Sequence, residues 1–261
     1  MTKVFLIGSI IILFFWLLVN FTSSPVPKPS ASPIILPSTL IPEPSPFIVA
    51  KGESMYALYL QKIIIPNQLT LIPNFTEKLS SQTVLETNKC TYGSNAGFYT
   101  KENTPLGLFI TNNIRLVTSI HSNIFFNGFF YKTLSNNLGL SDQAPPLGTV
   151  TFVFQSGPLF TPQTQLLIKD DKPARRILIS ETEANEFYLL AVTNKDNNHS
   201  GPLLSDLPEI VTQLNSSKSL LLSSKFSMLL NLDGGSASAF YSTQGKVLSE
   251  FTPIGSFLCG K

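Results

Sequence analysis

The chain has 261 residues, of which 43% are hydrophobic and only 13% charged, too apolar for a disordered protein and too lightly charged for an average cytosolic one. Its 18 basic and 16 acidic residues are scattered and leave a net charge of +2, so no basic stripe offers a nucleic-acid footprint. Two cysteines (Cys90, Cys259) and two histidines (His121, His199) show no CxxC or HxxxH spacing; one four-ligand zinc site would need all of them, so no metal or other cofactor is expected.

In chain order, the first feature is an uncharged apolar run from Val4 to Val19, extending loosely to Phe21, with Lys3 on its N-terminal side. That is close to the minimum length for a membrane span, and the flanking charge orients its start toward the cytoplasm. A cleaved signal peptide is the competing reading, although Val19-Asn-Phe-Thr-Ser-Ser24 holds no small-x-small cleavage site. Residues 1–22 are therefore expected to be a single-pass anchor, with the rest extracytoplasmic, or secreted if the segment is cleaved. Between Ser23 and Pro46 stand eight prolines among Ser, Thr and a few aliphatics. Proline lacks the donor that helix and sheet require, so 23–46 reads as an extended spacer.

From 47 to 261 the pattern is that of one folded domain. Ile48–Ala50, Met55–Ile65 and Gln68–Pro73 read as strands, with Pro66-Asn67 as a turn. Further short apolar runs at 106–110, 116–120, 150–154, 177–179 and 187–192 are rich in β-branched and aromatic residues and favour strand. Helix signals are few. Ser205-Asp-Leu-Pro-Glu209 offers a cap, an early proline and an acidic first turn before Ile210, Val211 and Leu214 at helical spacing. Asn74 to Leu85 is a weaker helical stretch. The expected class is α+β, a sheet-rich domain with few helices, after an N-terminal transmembrane helix and a Pro-rich linker. Cys90 and Cys259 lie near the two ends of its core; outside the membrane a disulfide between them is favoured over two buried thiols.

Four segments carry candidate chemistry. They are Asn95-Ala-Gly-Phe-Tyr99 with Pro105-Leu-Gly-Leu108 after it, Gln155-Ser-Gly-Pro-Leu159, Ala174-Arg-Arg-Ile-Leu-Ile179, and Leu230-Asn-Leu-Asp-Gly-Gly-Ser-Ala-Ser238. In the last, an apolar run ends on an amide and a carboxylate followed by two glycines and a hydroxyl. Such a turn lets a ligand approach the backbone and can aim N–H groups at an anion; Asp-Gly is equally at home in an ordinary hairpin. The arginine pair can be a solvated pair or an anion clamp.

In order and wording these segments resemble the phosphodiester glycosidase family over residues 88–258. The family's pattern is N-x-GFF/Y followed by P-x-G, then S/N-G-P/x, an arginine-led strand, and NLDGGGSS. The resemblance implies a hydrolase that cleaves a sugar–phosphate diester at the anomeric C–O bond, in glycan or exopolysaccharide metabolism of the cell envelope, with a glycan or sugar phosphate as partner. On matching positions it implies Asp233 as the key carboxylate and Arg176, with Ser236 and the amides of Gly234 and Gly235, as phosphate holders. Asn95 and Asn231 would position sugar hydroxyls or water, and Gly97, Ser156 and Gly157 complete the substrate-binding set. Arg175 stays open beside Arg176, and Ala237 and Ser180 depart from the family's Gly or Ser and Gly. No second carboxylate is evident, which leaves retention or inversion open. The alternatives are a non-catalytic carbohydrate-binding module of the same fold, or a metal-dependent phosphodiesterase using Asp233 as ligand. His121 and His199 receive no role.

Overall fold

The structure, a computed structural model, describes residues 45–217 and 224–261. The anchor and the spacer as far as residue 44 lie outside the described residues. Among those described, no helix is long and apolar enough to cross a membrane.

The described residues form β1 (Phe47–Lys51), β2 (Ser54–Lys62), β3 (Thr70–Pro73), helix α1 (Ser81–Thr87) and β4 (Tyr92–Asn95). Next come β5 (Phe109–Thr111), β6 (Ile114–Val117), β7 (Gly128–Thr133), β8 (Leu138–Ser141), β9 (Val150–Ser156) and β10 (Leu159–Phe160). The C-terminal part holds β11 (Arg176–Thr182), β12 (Phe187–Asn194), helix α2 (Leu207–Ser216), β13 (Phe226–Asn231), β14 (Phe240–Ser242), β15 (Gly245–Leu248) and β16 (Ser256–Gly260).

These strands make three antiparallel sheets. Sheet I has the order β1-β2-β12-β11-β13-β10, sheet II β15-β14-β4-β16-β3, and sheet III β6-β5-β9-β7-β8. One apolar core draws on all three: Ile177, Ile179, Leu189 and Leu230 from sheet I, Leu71, Phe240 and Leu258 from sheet II, and Phe109, Phe130 and Phe154 from sheet III. The alternate residues Leu178, Leu190, Val192 and Leu229 point to the other face of sheet I, where Leu207, Ile210, Val211 and Leu214 of α2 cover them. Coverage on both faces explains why β11 and β12 read as continuous apolar runs rather than alternating ones.

Helix α1 packs outside sheet II through Val84, beside the disulfide that joins Cys90 to Cys259. The bridge favoured from the sequence is thus present, with the two Cα atoms 5.3 Å apart.

Several expected boundaries move. The helix read over Asn74–Leu85 begins only at Ser81, because the Asn74 side chain binds locally: its Oδ1 accepts from the Leu79 N–H, and its Nδ2 donates to the Leu79 and Ile254 carbonyls. The strand read over Met55–Ile65 ends at Lys62, and that over Leu116–Ile120 occupies Ile114–Val117. Helix α2 is found where expected, but Ser205 does not cap it. The Asp171 carboxylate, 34 residues away, accepts from the Ser205 N–H at 2.8 Å and the Leu204 N–H at 3.2 Å, and so satisfies the donors of the preceding turn.

Candidate active site

The ends of β4, β9 and β13, one from each sheet, are stitched together by backbone and side-chain hydrogen bonds. Gly157 N–H and Ser156 Oγ both donate to the Asn231 carbonyl, at 3.1 and 2.7 Å. In return the Asn231 N–H donates to Pro158 O and its Nδ2 to Gly157 O, each at 3.0 Å. On the other side the Asp233 N–H donates to Ala96 O at 3.1 Å, while the buried Asn95 amide donates to Asp233 O at 2.6 Å and accepts from the Ala239 N–H at 2.9 Å. Asn95 therefore spans the base of the loop 233–239 and fixes where Asp233 leaves its strand.

The two arginines divide the work. Arg175 is 2% exposed and runs beneath the glycine loop, donating to Gly235 O (3.0 Å), Ser249 O (2.8 Å) and Ser236 O (3.4 Å), with its guanidinium 4.2 Å from the Phe251 ring centre. Its carbonyl accepts from Gly235 N–H at 2.9 Å. The backbones run so close here that a Cβ on Gly234 would lie 2.9 Å from Arg175 O, and Gly235 turns with φ +63°. Arg176, the first residue of β11, instead lines a cleft. It is braced from behind by Pro202 O at 3.2 Å, Lys172 O at 2.8 Å and the Asp171 carboxylate at 3.5 Å. Burial raises the Asp171 carboxyl, but the Ser205 and Leu204 hydrogen bonds and the Arg176 charge outweigh it and leave the pKa below the usual carboxylate range.

That cleft, about 490 Å³, holds Asn231, Asp233, Gly234, Gly235 and Arg176 on one part of its lining and Phe98, Leu106, Phe125, Phe126 and Pro158 on another. Burial dominates at Asp233 and lifts its carboxyl to about 7, opposed only in part by the Gly234 N–H. A carboxyl at that value can work as acid or as base near neutrality. Asn231 lines the cleft, and its amide oxygen, buried on a residue 3% exposed, has no hydrogen-bond partner among the described residues. Among the described residues, no three His, Cys, Asp or Glu side chains are grouped to share an ion.

A profile of the phosphodiester glycosidase family matches residues 88–257, more than half of the chain. The chain belongs to the phosphodiester glycosidase family. Of solved structures, it is similar to the zebrafish N-acetylglucosamine-1-phosphodiester alpha-N-acetylglucosaminidase catalytic domain, auto-inhibited by its pro-peptide. The match has a TM-score of 0.63 at 10% identity and covers 82% of this chain and 81% of that one. At that identity the likeness is one of fold. A hypothetical protein from Synechocystis matches at TM-score 0.47 and 14% identity, over 82% of this chain and 61% of that one. No curated protein matches the chain in sequence.

Of the residues singled out by sequence, this phosphodiester glycosidase domain brings Asp233, Arg176, Asn231, Gly157, Gly234 and Gly235 to one cleft. Asn95 and Ser156 stand behind the lining with their side-chain polar atoms directed at backbone. Gly97 is a close-approach position: a Cβ there would meet Gln155 O and the Phe154 ring at 3.1 Å. Ser236 is exposed, its hydroxyl bonded to Thr252 Oγ1 at 3.0 Å. The amide of Gly235 is committed to Arg175 O and that of Gly234 to the Asp233 carboxylate, so neither is a free anion donor.

The sequence reading left out His121, Asn123, Phe125 and Phe126, which form a further part of the lining. Buried Gln155 holds them in place: its Nε2 donates to His121 O and Phe126 O, both at 2.7 Å, and its Oε1 accepts from the His121 N–H at 2.9 Å. The signals in the sequence are the aromatic pair Phe125-Phe126 and, 29 residues after Phe126, the glutamine already noted in the second motif.

Proposed function

We propose that this domain hydrolyses a sugar–phosphate diester at the anomeric C–O bond, with N-acetylglucosamine 1-phosphodiesters as the leading substrate class. The observation that carries the reading is a carboxyl at about 7, Asp233, sharing one cleft with the arginine Arg176 and with Asn231. In the reaction, water adds to the anomeric carbon and the C–O bond breaks. The electron pair leaves with the phosphomonoester, and the water proton passes to the Asp233 carboxylate and on to solvent. A phosphomonoester leaves readily, so little demand falls on a general acid. Asp233 in its ionised form stabilises the oxocarbenium-like charge or accepts the water proton. Arg176, braced by Asp171 and two carbonyls, meets the phosphate charge, and Asn231 lines the cleft beside the reacting centre. The name of the zebrafish relative supports the sugar assignment.

The same proposal places residues 47–261 outside the cytoplasm in the cell envelope, held by an anchor at 1–22 through the spacer 23–46. The charge-free run Val4–Val19 supports this. Release of N-acetylglucosamine from UDP-N-acetylglucosamine or an aryl phosphodiester tests the activity, and Asp233→Asn should cut kcat by about 100-fold or more. A variant that turns over like the wild type sinks the assignment. Glycan binding that survives Asp233→Asn, with no turnover by the wild type, would make the domain a binding module.

A further inference from the structure

Exposed apolar side chains are unevenly spread over the described surface. Thirteen large ones stand exposed among the described residues, and five fall within Ile114–Phe125: Ile114 (60%), Leu116 (43%), Ile120 (56%), Ile124 (77%) and Phe125 (37%). Single exposed apolar residues are ordinary, but such a concentration marks a contact surface. Strand β6 is an outer strand of sheet III, and Ile114 and Leu116, two apart on it, share a face. The charge pattern narrows the partner. From Asn112 to Asn127 the chain has no Asp or Glu and Arg115 is its one permanent charge; Glu77, from outside the segment, lines a groove with Leu116 and Val117, so the carboxylate-free part is the loop Thr118–Asn127. Apolar tips among neutral polar residues with one cation, Arg115, suit the interface of an anionic bilayer, where the side chains enter the acyl boundary and the arginine meets headgroup phosphates.

The same stretch is also part of the cleft. While Ile120 and Ile124 face solvent, His121, Asn123, Phe125 and Phe126 between and beside them line the cavity, held by the Gln155 clamp. Whatever surface the isoleucines touch therefore lies beside the cleft. The sequence ahead of the described domain is compatible with a bilayer partner, since it holds the charge-free apolar run Val4–Val19.

We infer that Ile114–Phe125 is a lipid-docking segment and that the substrate is a sugar phosphodiester whose aglycone is anchored in the bilayer, entering along the apolar wall of Phe98, Leu106 and Phe126. The substrate half of this inference rests on the reaction proposed above; the docking half stands on the surface alone.

The test uses the full chain in phosphatidylglycerol vesicles. Trp16 is the single tryptophan, so Trp16→Phe/Ile124→Trp carries one probe at the loop tip. Its fluorescence should be quenched by brominated acyl chains; emission indifferent to bromination overturns docking. In parallel, Ile120→Ser/Ile124→Ser should slow release of N-acetylglucosamine from its phosphodiester with a long-chain alcohol, embedded in the vesicles, by about ten-fold or more. Turnover of a water-soluble aryl diester by the same variant should change less than about two-fold, which also shows that the fold is intact. If the wild type cleaves the aryl diester but the vesicle substrate no faster, and the variant does not alter that ratio, the substrate inference fails and the proposed reaction stands. If neither is cleaved, the substrate inference falls with the reaction, while quenching still decides docking. A dimer that the double variant abolishes, together with an unquenched probe, assigns the patch to a second copy and overturns the lipid partner.

Discussion

Asp233 keeps its proton into the neutral range because the three strand ends close around it, and this has a consequence for stability. Its carboxyl ionises near 4 in an unfolded chain and at about 7 in the fold. Between those values the folded state holds more protons than the unfolded one, so its stability falls as pH rises through the window, and the full penalty applies above about 7. Asp233→Asn should therefore stabilise the protein at pH 8 by about 1–3 kcal/mol, with the gain shrinking toward pH 4; urea denaturation at both pH values checks this. If the ionised form does the work, kcat/KM of the wild type should rise with pH through an apparent pKa of about 7. The two arginines separate by the same kind of measurement. Arg175→Ala removes three hydrogen bonds to carbonyls and the contact with Phe251. It should cost about 3 kcal/mol in thermal or urea unfolding. Arg176→Ala should cost less stability but raise KM for a phosphodiester about ten-fold or more. Adjacent in sequence and identical in type, the two differ only in which side of the glycine loop they face.

Elements reach the cleft through their ends, and the close approaches between those ends decide which residues are allowed there. A Cβ on Gly157 would lie 2.5 Å from Phe125 O and 2.8 Å from Phe126 Cα, both backbone atoms that cannot swing aside. Gly157→Ala should push back the segment carrying Phe125 and Phe126, with a loss of about 2–4 kcal/mol in stability and a more than ten-fold fall in kcat/KM. Full activity with an unshifted melting temperature would show that the segment moves freely. Strand β4 illustrates why some elements escape a sequence reading. Tyr92-Gly-Ser-Asn95 has poor strand propensity, yet all four residues are buried between β14 and β16. Gly93 is required there, since a Cβ would meet Leu258 O at 2.2 Å. Tertiary crowding overrides local preference at such a position. Strands β11 and β12, by contrast, were legible, because burial on both faces writes an unbroken apolar run into the sequence.

On the scale of the whole domain, the Cys90–Cys259 bridge ties the C-terminal strand β16 to the start of β4 across 169 residues of chain. Closing so long a loop in the unfolded chain is worth on the order of 4–5 kcal/mol before strain or residual structure is subtracted. Reduction, or Cys90→Ala/Cys259→Ala, should lower the melting temperature by roughly 10 °C or more. A thermal melt with and without reductant reads this directly, and an unchanged midpoint would show that the sheet contacts alone hold β16.

By itself the sequence determined the class of domain, the family and the chemical types at the site. Apolar runs, turn residues and the Asn231–Ser236 wording are local properties of the chain, readable before it folds. Only the tertiary structure decided that Arg176 rather than Arg175 lines the cleft, that Asn95 and Ser156 brace backbone from behind, and that His121, Asn123, Phe125 and Phe126 belong to the site. Those outcomes depend on contacts between strands far apart in the chain, and so does the displaced ionisation of Asp233. An aspartate next to two glycines looks like a hairpin turn until the ends of strands from three sheets meet beside it and strip away part of the water that would have kept it charged.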